Sequence, residues 1–424
     1  MKKRLIAAVL MLSMIGSLAA CGKKDETTEA TKSPDATKPK TEATEETTTA
    51  EPTTEESTEP VEEGLTKEKY DTMTAEELLE MAEIADLEKV TDDEYFWLLE
   101  TYRFVDIDYD QMILANTDSI TKQAIKMTKG GSLNNLVERL LASEYPQVRG
   151  IGYTAIASLF GASDKDIQSV LTNLETETDD YCLFCATDGL MNSMKNDPKV
   201  AEFIFKMSEY PSPRIRCRAA MAIGNSWSIG VDGTVERIIE MMKDEDQDVR
   251  AAAVLYAGKL HDDAVVAPIV EVLNNEADAK IHGDAIRGLS YMWLDYPTHE
   301  HTSEAAYRAT LDYYSKTPRN GDVPVWNGIS GFNVVSEKQL AESNWYANAT
   351  YFNADEFTGV MSDLIADPDM NWLAKGPAMK AVIALCPEKF DSLQAAVDSL
   401  GEQKVTDQYD KLKEELAAKA EASA

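Results

Sequence analysis

The chain has 424 residues, with 75 acidic and 41 basic side chains and a net charge of −34 at pH 7. Such an excess repels phosphate backbones, which are bound through Lys and Arg, and it repels anionic headgroups, so nucleic acid is excluded as a partner. Five cysteines over this length make no disulfide framework.

In chain order, Lys2, Lys3 and Arg4 precede an apolar run from Leu5 to Leu18, which ends in Leu18-Ala19-Ala20-Cys21. A basic start, about a dozen apolar residues and a small-residue exit predict a secretory signal peptide over residues 1–20. The run falls short of the roughly 20 residues a membrane span needs. The Leu-Ala-Ala-Cys string resembles a bacterial lipobox. The resemblance implies a lipid on the Cys21 thiol, cleavage just before it, and an address on the outer face of the bacterial cytoplasmic membrane. Residues 21–64 follow as Thr, Glu, Pro, Lys and Ala, with Val61 the only larger aliphatic side chain. This composition cannot offset its own ordering entropy and predicts a disordered tether. As a flexible coil it reaches roughly 35 Å. The leader contributes +3 and the tether −8, which leaves −29 on residues 65–424.

Residues 65–142 are predicted to form a helical cap. Thr74 with Glu77 has capping-box spacing, and Leu78, Leu79, Met81, Ala82 and Ala85 line one face behind it. Asp92 to Tyr102 reads as a second helix. Residues 143–300 repeat. Val148, Cys182, Ile215, Val249 and Ile281 are spaced by 34, 33, 34 and 32 residues. Four positions on stand Gly152, Ala186, Ala219, Ala253 and Ala285. Seven and eight positions on stand Ala155 and Ile156, Gly189 and Leu190, Ala222 and Ile223, Tyr256 and Ala257, Gly288 and Leu289. Offsets 0, 4, 7 and 8 share one helix face, and amphipathic segments such as Val235–Met242 lie between. Two helices per unit at a period near 33 predict an all-α superhelix, an α-solenoid.

The string Asp246-Gln-Asp-Val-Arg-Ala-Ala-Ala-Val-Leu-Tyr-Ala-Gly258 resembles a HEAT repeat, of the short kind also found in phycobilisome-lyase-like proteins. Pro146-Gln-Val-Arg149 and Pro213-Arg-Ile-Arg216 match its start, and the resemblance extends from Ser143 to Leu294. It implies ladders of Asp and Arg between repeats, a role that Asp248 and Arg250 fit. Arg149 and Arg216 supply the cation without an acid directly before the anchor, while Leu183 and His282 interrupt the row. The alternative use of such a row is to bind an anionic ligand.

Residues 301–424 are predicted to be helical around an aromatic insertion, Val325 to Phe352, which contains Trp326, Trp345 and Tyr346. Gly376-Pro377 reads as a helix start. Several motifs imitate chemistry. Cys182-Leu-Phe-Cys185 occupies core columns of its repeat. Ser119-Ile-Thr-Lys122 lacks the partner motifs of penicillin-binding enzymes. His299-Glu-His301 lacks zincin spacing. Asp106, Asp108 and Asp110 start like a calcium loop, but Gln111 and Thr117 stand where Gly and Glu belong. These readings predict no catalytic residue, metal or cofactor. They predict a membrane-anchored scaffold whose partner is a neutral or cationic protein or peptide docking near Trp326, Trp345 and Tyr346, unless those rings pack down as a C-terminal cap. The alternatives are a lipid-anchored envelope enzyme or a solute receptor with its site in the insertion. A phycobilin lyase would need a tetrapyrrole pocket and a cytoplasmic address, which the leader denies.

Overall fold

The computed structural model describes residues 65–84, 91–115, 136–156, 164–276, 278–294, 302–316, 345–370 and 372–423. The leader, the tether, Ser119–Lys122, His299–His301 and Trp326 lie outside them. Among the described residues there are 19 α-helices and one two-stranded hairpin, and no helix is long and apolar enough to cross a membrane. The chain divides into two compact units, Met1–Leu98 and Leu99–Ala424.

In the first unit, α1 (Lys67–Thr72), α2 (Ala75–Ile84) and the start of α3 (Asp92–Glu100) are set by their caps. The Thr74 amide donates to Glu77 Oε2 at 2.8 Å, and the Glu77 amide donates back to Thr74 Oγ1 at 3.3 Å. Thr91 and Glu94 repeat the same reciprocal box at 2.7 and 3.2 Å. Both carboxyls are held below the usual range, chiefly by the backbone amide each accepts from. Leu65, Tyr70, Leu78, Ala82 and Leu98 form the core, with Trp97 stacked 6.0 Å from Tyr70.

The second unit is an α-solenoid. Its anchor helices are α5 (Pro146–Ala155), α7 (Asp180–Leu190), α9 (Pro213–Ile223), α11 (Gln247–Ala257) and α13 (Ala279–Trp293), each packed on the next. Before them run α4 (Leu136–Leu141), α6 (Asp164–Leu174), α8 (Pro198–Met207), α10 (Thr234–Met241) and α12 (Val266–Asn275). Starts are fixed by proline in the first turn at Pro146, Pro198 and Pro213, and by side-chain caps at Asp179 and Asp246. The predicted columns are interior. Val148, Cys182, Ile215, Val249 and Ile281 are all fully buried, as are Ala186, Ala219, Ala253 and Ala285. The small residues serve close packing. A Cβ added to Gly258 would stand 1.9 Å from the Gly288 carbonyl oxygen, and one on Gly288 would stand 2.3 Å from that of Val254.

Helix α14 (Glu304–Lys316) continues the stack on α13. The remainder is α15 (Trp345–Asn348), α16 (Ala354–Ala366), α17 (Trp372–Leu385), a 3-10 stretch at Pro387–Leu393, α18 (Gln394–Leu400) and α19 (Gln403–Ser423). Contrary to the expectation from sequence, Gly376-Pro377 does not start a helix. Pro377 lies inside α17. Ala374, Lys375, Ala378 and Met379 around it are buried, and a Cβ on Gly376 would lie 2.1 Å from the Gln408 amide of α19. Packing on both sides outweighs the hydrogen bond that proline cannot make.

Candidate binding surface

The loops that lead into the anchor helices form one edge of the stack, and three arginines there repeat one set of contacts. Arg216 donates from Nε and Nη2 to the two carboxylate oxygens of Asp244, both at 2.8 Å, and from Nη1 to the Tyr210 and Pro211 carbonyls. Arg149 grips Glu177 at 2.8 and 3.1 Å and the Ser143 and Glu144 carbonyls. Arg250 grips Glu276 at 3.1 and 2.9 Å and the Asp244 and Glu245 carbonyls. Each guanidinium thus closes its own turn and holds the carboxylate of the next repeat. The acid of the ladder is therefore not Asp248, as the family resemblance implied. It stands two residues before each aspartate cap and accepts that cap's amide, as Asp244 does from Asp246 at 2.8 Å. Burial pushes the Asp244 and Glu177 carboxyls up, but their arginines and these amides outweigh it and hold both below the usual range.

The predicted interruptions are present, and the partners change with them. Where Leu183 replaces arginine, Tyr210 replaces the acid, and its hydroxyl donates to Asp180 at 2.8 Å. His282 makes the two-sided contact without a guanidinium, through the Glu276 carbonyl at 2.7 Å and the Tyr313 hydroxyl at 3.1 Å. With each arginine already held by a carboxylate and two carbonyls, the row joins repeats and offers no anion site.

The predicted docking residues separate. Cys21 and Trp326 lie outside the described residues. Trp345 is fully buried, and its Nε1–H donates to the Trp293 carbonyl at 2.7 Å. Thr302 and Tyr351 donate to the same oxygen at 3.0 and 3.1 Å. Around it Trp293 packs against Tyr307, Trp345 and Phe357, with ring centroids 5.4 to 6.2 Å apart. Tyr346 is instead 53% exposed, its hydroxyl pinned to the Ala384 carbonyl at 3.1 Å.

Two of the motifs that imitate chemistry lie among the described residues, and both resolve into structure. Cys182 and Cys185 are buried free thiols; burial pushes both up, Cys185 to about 12. Asp108 closes a hairpin by accepting the Gln111 amide at 3.0 Å, between strands β1 (Ile107–Asp108) and β2 (Ile113–Leu114). No cluster of three metal-ligating side chains occurs among the described residues.

Sequence reasoning missed two cation–aromatic clusters farther along the anchor helices. In the first, the Arg218 guanidinium lies 4.7 Å from the Phe184 ring and pairs with Asp188 at 2.9 Å. In the second, the Lys259 ammonium lies 4.5 Å from the Tyr256 ring and 5.2 Å from that of Tyr291, with Arg287 on the neighbouring helix. Burial, and then the Arg287 charge, push the Lys259 amine down to about 8. Arg287 Nε is buried without a hydrogen-bond partner. The available signal was charge on or just past the anchor helices, at Asp188, Arg218, Lys259 and Arg287, which stand 6, 3, 10 and 6 positions beyond their anchors.

A family model described as HEAT repeats matches residues 201–290. The match runs from α8 into α13, across the most regular part of the stack. No curated protein matches the chain. The second unit therefore carries HEAT repeats in an α-solenoid, an architecture suited to holding other proteins.

Proposed function

We propose that the chain is a non-catalytic scaffold, anchored by lipid on Cys21 to the outer face of the cell membrane, that holds a protein or peptide on its HEAT stack. The observation that carries the reading is the stack itself. Five anchor helices repeat in one register, and HEAT repeats match across its centre. Stacked repeats create an extended surface on which a polypeptide can lie. The leader and the Leu18-Ala19-Ala20-Cys21 string support the anchor, and the Thr/Glu/Pro tether would hold the body clear of the lipid. A body of −29 favours neutral or cationic partners in long-range encounter. Tyr346, exposed and held by its hydroxyl, is the described ring of the predicted docking trio that can reach a partner.

Detergent partitioning and proximity labelling on living cells test the two halves separately. Wild type should enter the detergent phase and Cys21→Ala should not, because stable anchoring depends on acyl chains. Equal partitioning of the two would end the anchor reading. With the tethered body as bait, wild type should label a reproducible protein, and Tyr346→Ala should label it less. Labelling no stronger than an unrelated tethered body would end the scaffold reading.

A further inference from the structure

We infer that Lys259 and Arg287 form a binding site for one carboxylate, carried by the polypeptide that the stack holds. The carrier rests on the scaffold reading; the site rests on the geometry alone.

The two cations are brought together by the backbone. Lys259 follows Gly258 in the 3-10 turn Gly258–Leu260, and Arg287 precedes Gly288 on α13. Because neither glycine has a Cβ, the two backbone segments touch directly. The Lys259 ammonium reaches the rings of Tyr256 and Tyr291, and Arg287 stands one turn before Tyr291 on α13. Tyr256 and Tyr291 are 5% and 9% exposed.

What the two cations lack among the described residues is an anion. Among the described anchor helices, Arg149, Arg216, Arg218 and Arg250 each pair with a carboxylate. Arg287 does not, and no carboxylate is among the contacts of Lys259. Asp284, one turn earlier on α13, makes an interaction of its own. The contrast with the first cluster is specific. There Asp188, six positions beyond its anchor, neutralises Arg218 over a ring. In the second cluster the position six beyond the anchor is Arg287 itself. Two like charges are thus held together, mostly out of water, in a chain with 75 acidic residues to draw on. Burying unpaired charge is costly, and an incoming anion would relieve that cost.

The anion is a monoanion on an apolar stem. The tyrosine faces suit methylene groups as well as cations, and the guanidinium and ammonium suit carboxylate oxygens. A phosphate dianion would meet roughly twice the repulsion from the surrounding −29. A glutamate or aspartate side chain, on a segment otherwise neutral or basic, satisfies both constraints.

The test uses the full chain with lysines carrying 13C-methyl groups, read by NMR. The probe is N-acetyl-glutamic acid methylamide, with the glutamine analogue and inorganic phosphate alongside. The Lys259 signal, assigned by its loss in Lys259→Arg, should shift saturably with the glutamic probe and stay still with the glutamine one. Arg287→Gln should weaken binding about tenfold, and Arg287→Lys should retain most of it, which separates lost charge from lost folding. No saturable shift, an equal shift with the glutamine analogue, or tighter binding of phosphate would each overturn the assignment. None of these outcomes touches the labelling experiment, so the site and the scaffold can fail independently.

Discussion

The two ends of the anchor helices use cations in opposite ways. At the starting edge, Arg149, Arg216 and Arg250 are periodic, and each has a carboxylate supplied by the following repeat. Toward the far end, Lys259 and Arg287 are aperiodic and crowd each other, and Lys259 faces two tyrosine rings. Charge that recurs with the repeat holds the stack together. Charge that breaks the period is the better candidate for function, because the fold gains nothing from it.

The comparison breaks most sharply at Arg216. Arg216→Met leaves Asp244 buried without its partner and opens the Tyr210–Pro211 turn, and should cost about 3 kcal/mol in urea unfolding. Asp244 is held below its ordinary range, so its contribution is present above the unfolded pKa and is lost as pH falls through the folded one. The gap between wild type and Arg216→Met should therefore narrow on acidification; a gap independent of pH would deny the ion pair its role. Next comes Gly258→Ala, which drives a methyl group into the Gly288 carbonyl and should cost about 2 kcal/mol. An unchanged urea midpoint would deny the backbone contact.

Lys259→Met should act in the opposite direction and stabilise the protein by about 1 kcal/mol at pH 7, by removing an unpaired charge. The amine titrates near 8 in the fold against an ordinary 10.5. Between those values the unfolded chain binds the proton and the folded chain does not, so wild-type stability should rise across that window. Lys259→Met should lack that rise when chemical unfolding is followed from pH 7 to 10. A destabilised Lys259→Met would place the residue with the ladder instead. Tyr210→Phe is the smallest change. It removes the hydroxyl contact to Asp180 at the interrupted rung and should cost about 0.5 kcal/mol.

The repeat register was legible because offsets 0, 4, 7 and 8 carry apolar or small residues in five successive units, a pattern only a helix face explains. The ladder was half legible. Its arginines stand beside the anchors, but its acids stand two residues before the next cap, and no local spacing links residues 26 to 28 apart. Lys259 and Arg287 were not legible as a pair, because their meeting depends on two glycines in different repeats. Trp345 and Tyr346 show the limit at one bond's distance. Successive helical residues point about 100° apart, so one ring enters the core and its neighbour meets solvent, and composition cannot say which.

The pairing rule at the starting edge also bears on how the array can change length. Each repeat's arginine is matched to an acid one unit downstream, so a joint survives only if the units it brings together agree. Loss of the unit around α11 would set Arg216 against Glu276, a sound joint. Loss of the unit around α7 would set Arg149 against Tyr210, and loss of the unit around α9 would leave Asp244 facing Leu183. Removing α7 and α9 with their partner helices together would restore a match, Arg149 to Asp244. Leu183 and Tyr210 thus travel as a pair, and they mark where this array can be cut and rejoined without stranding a charge.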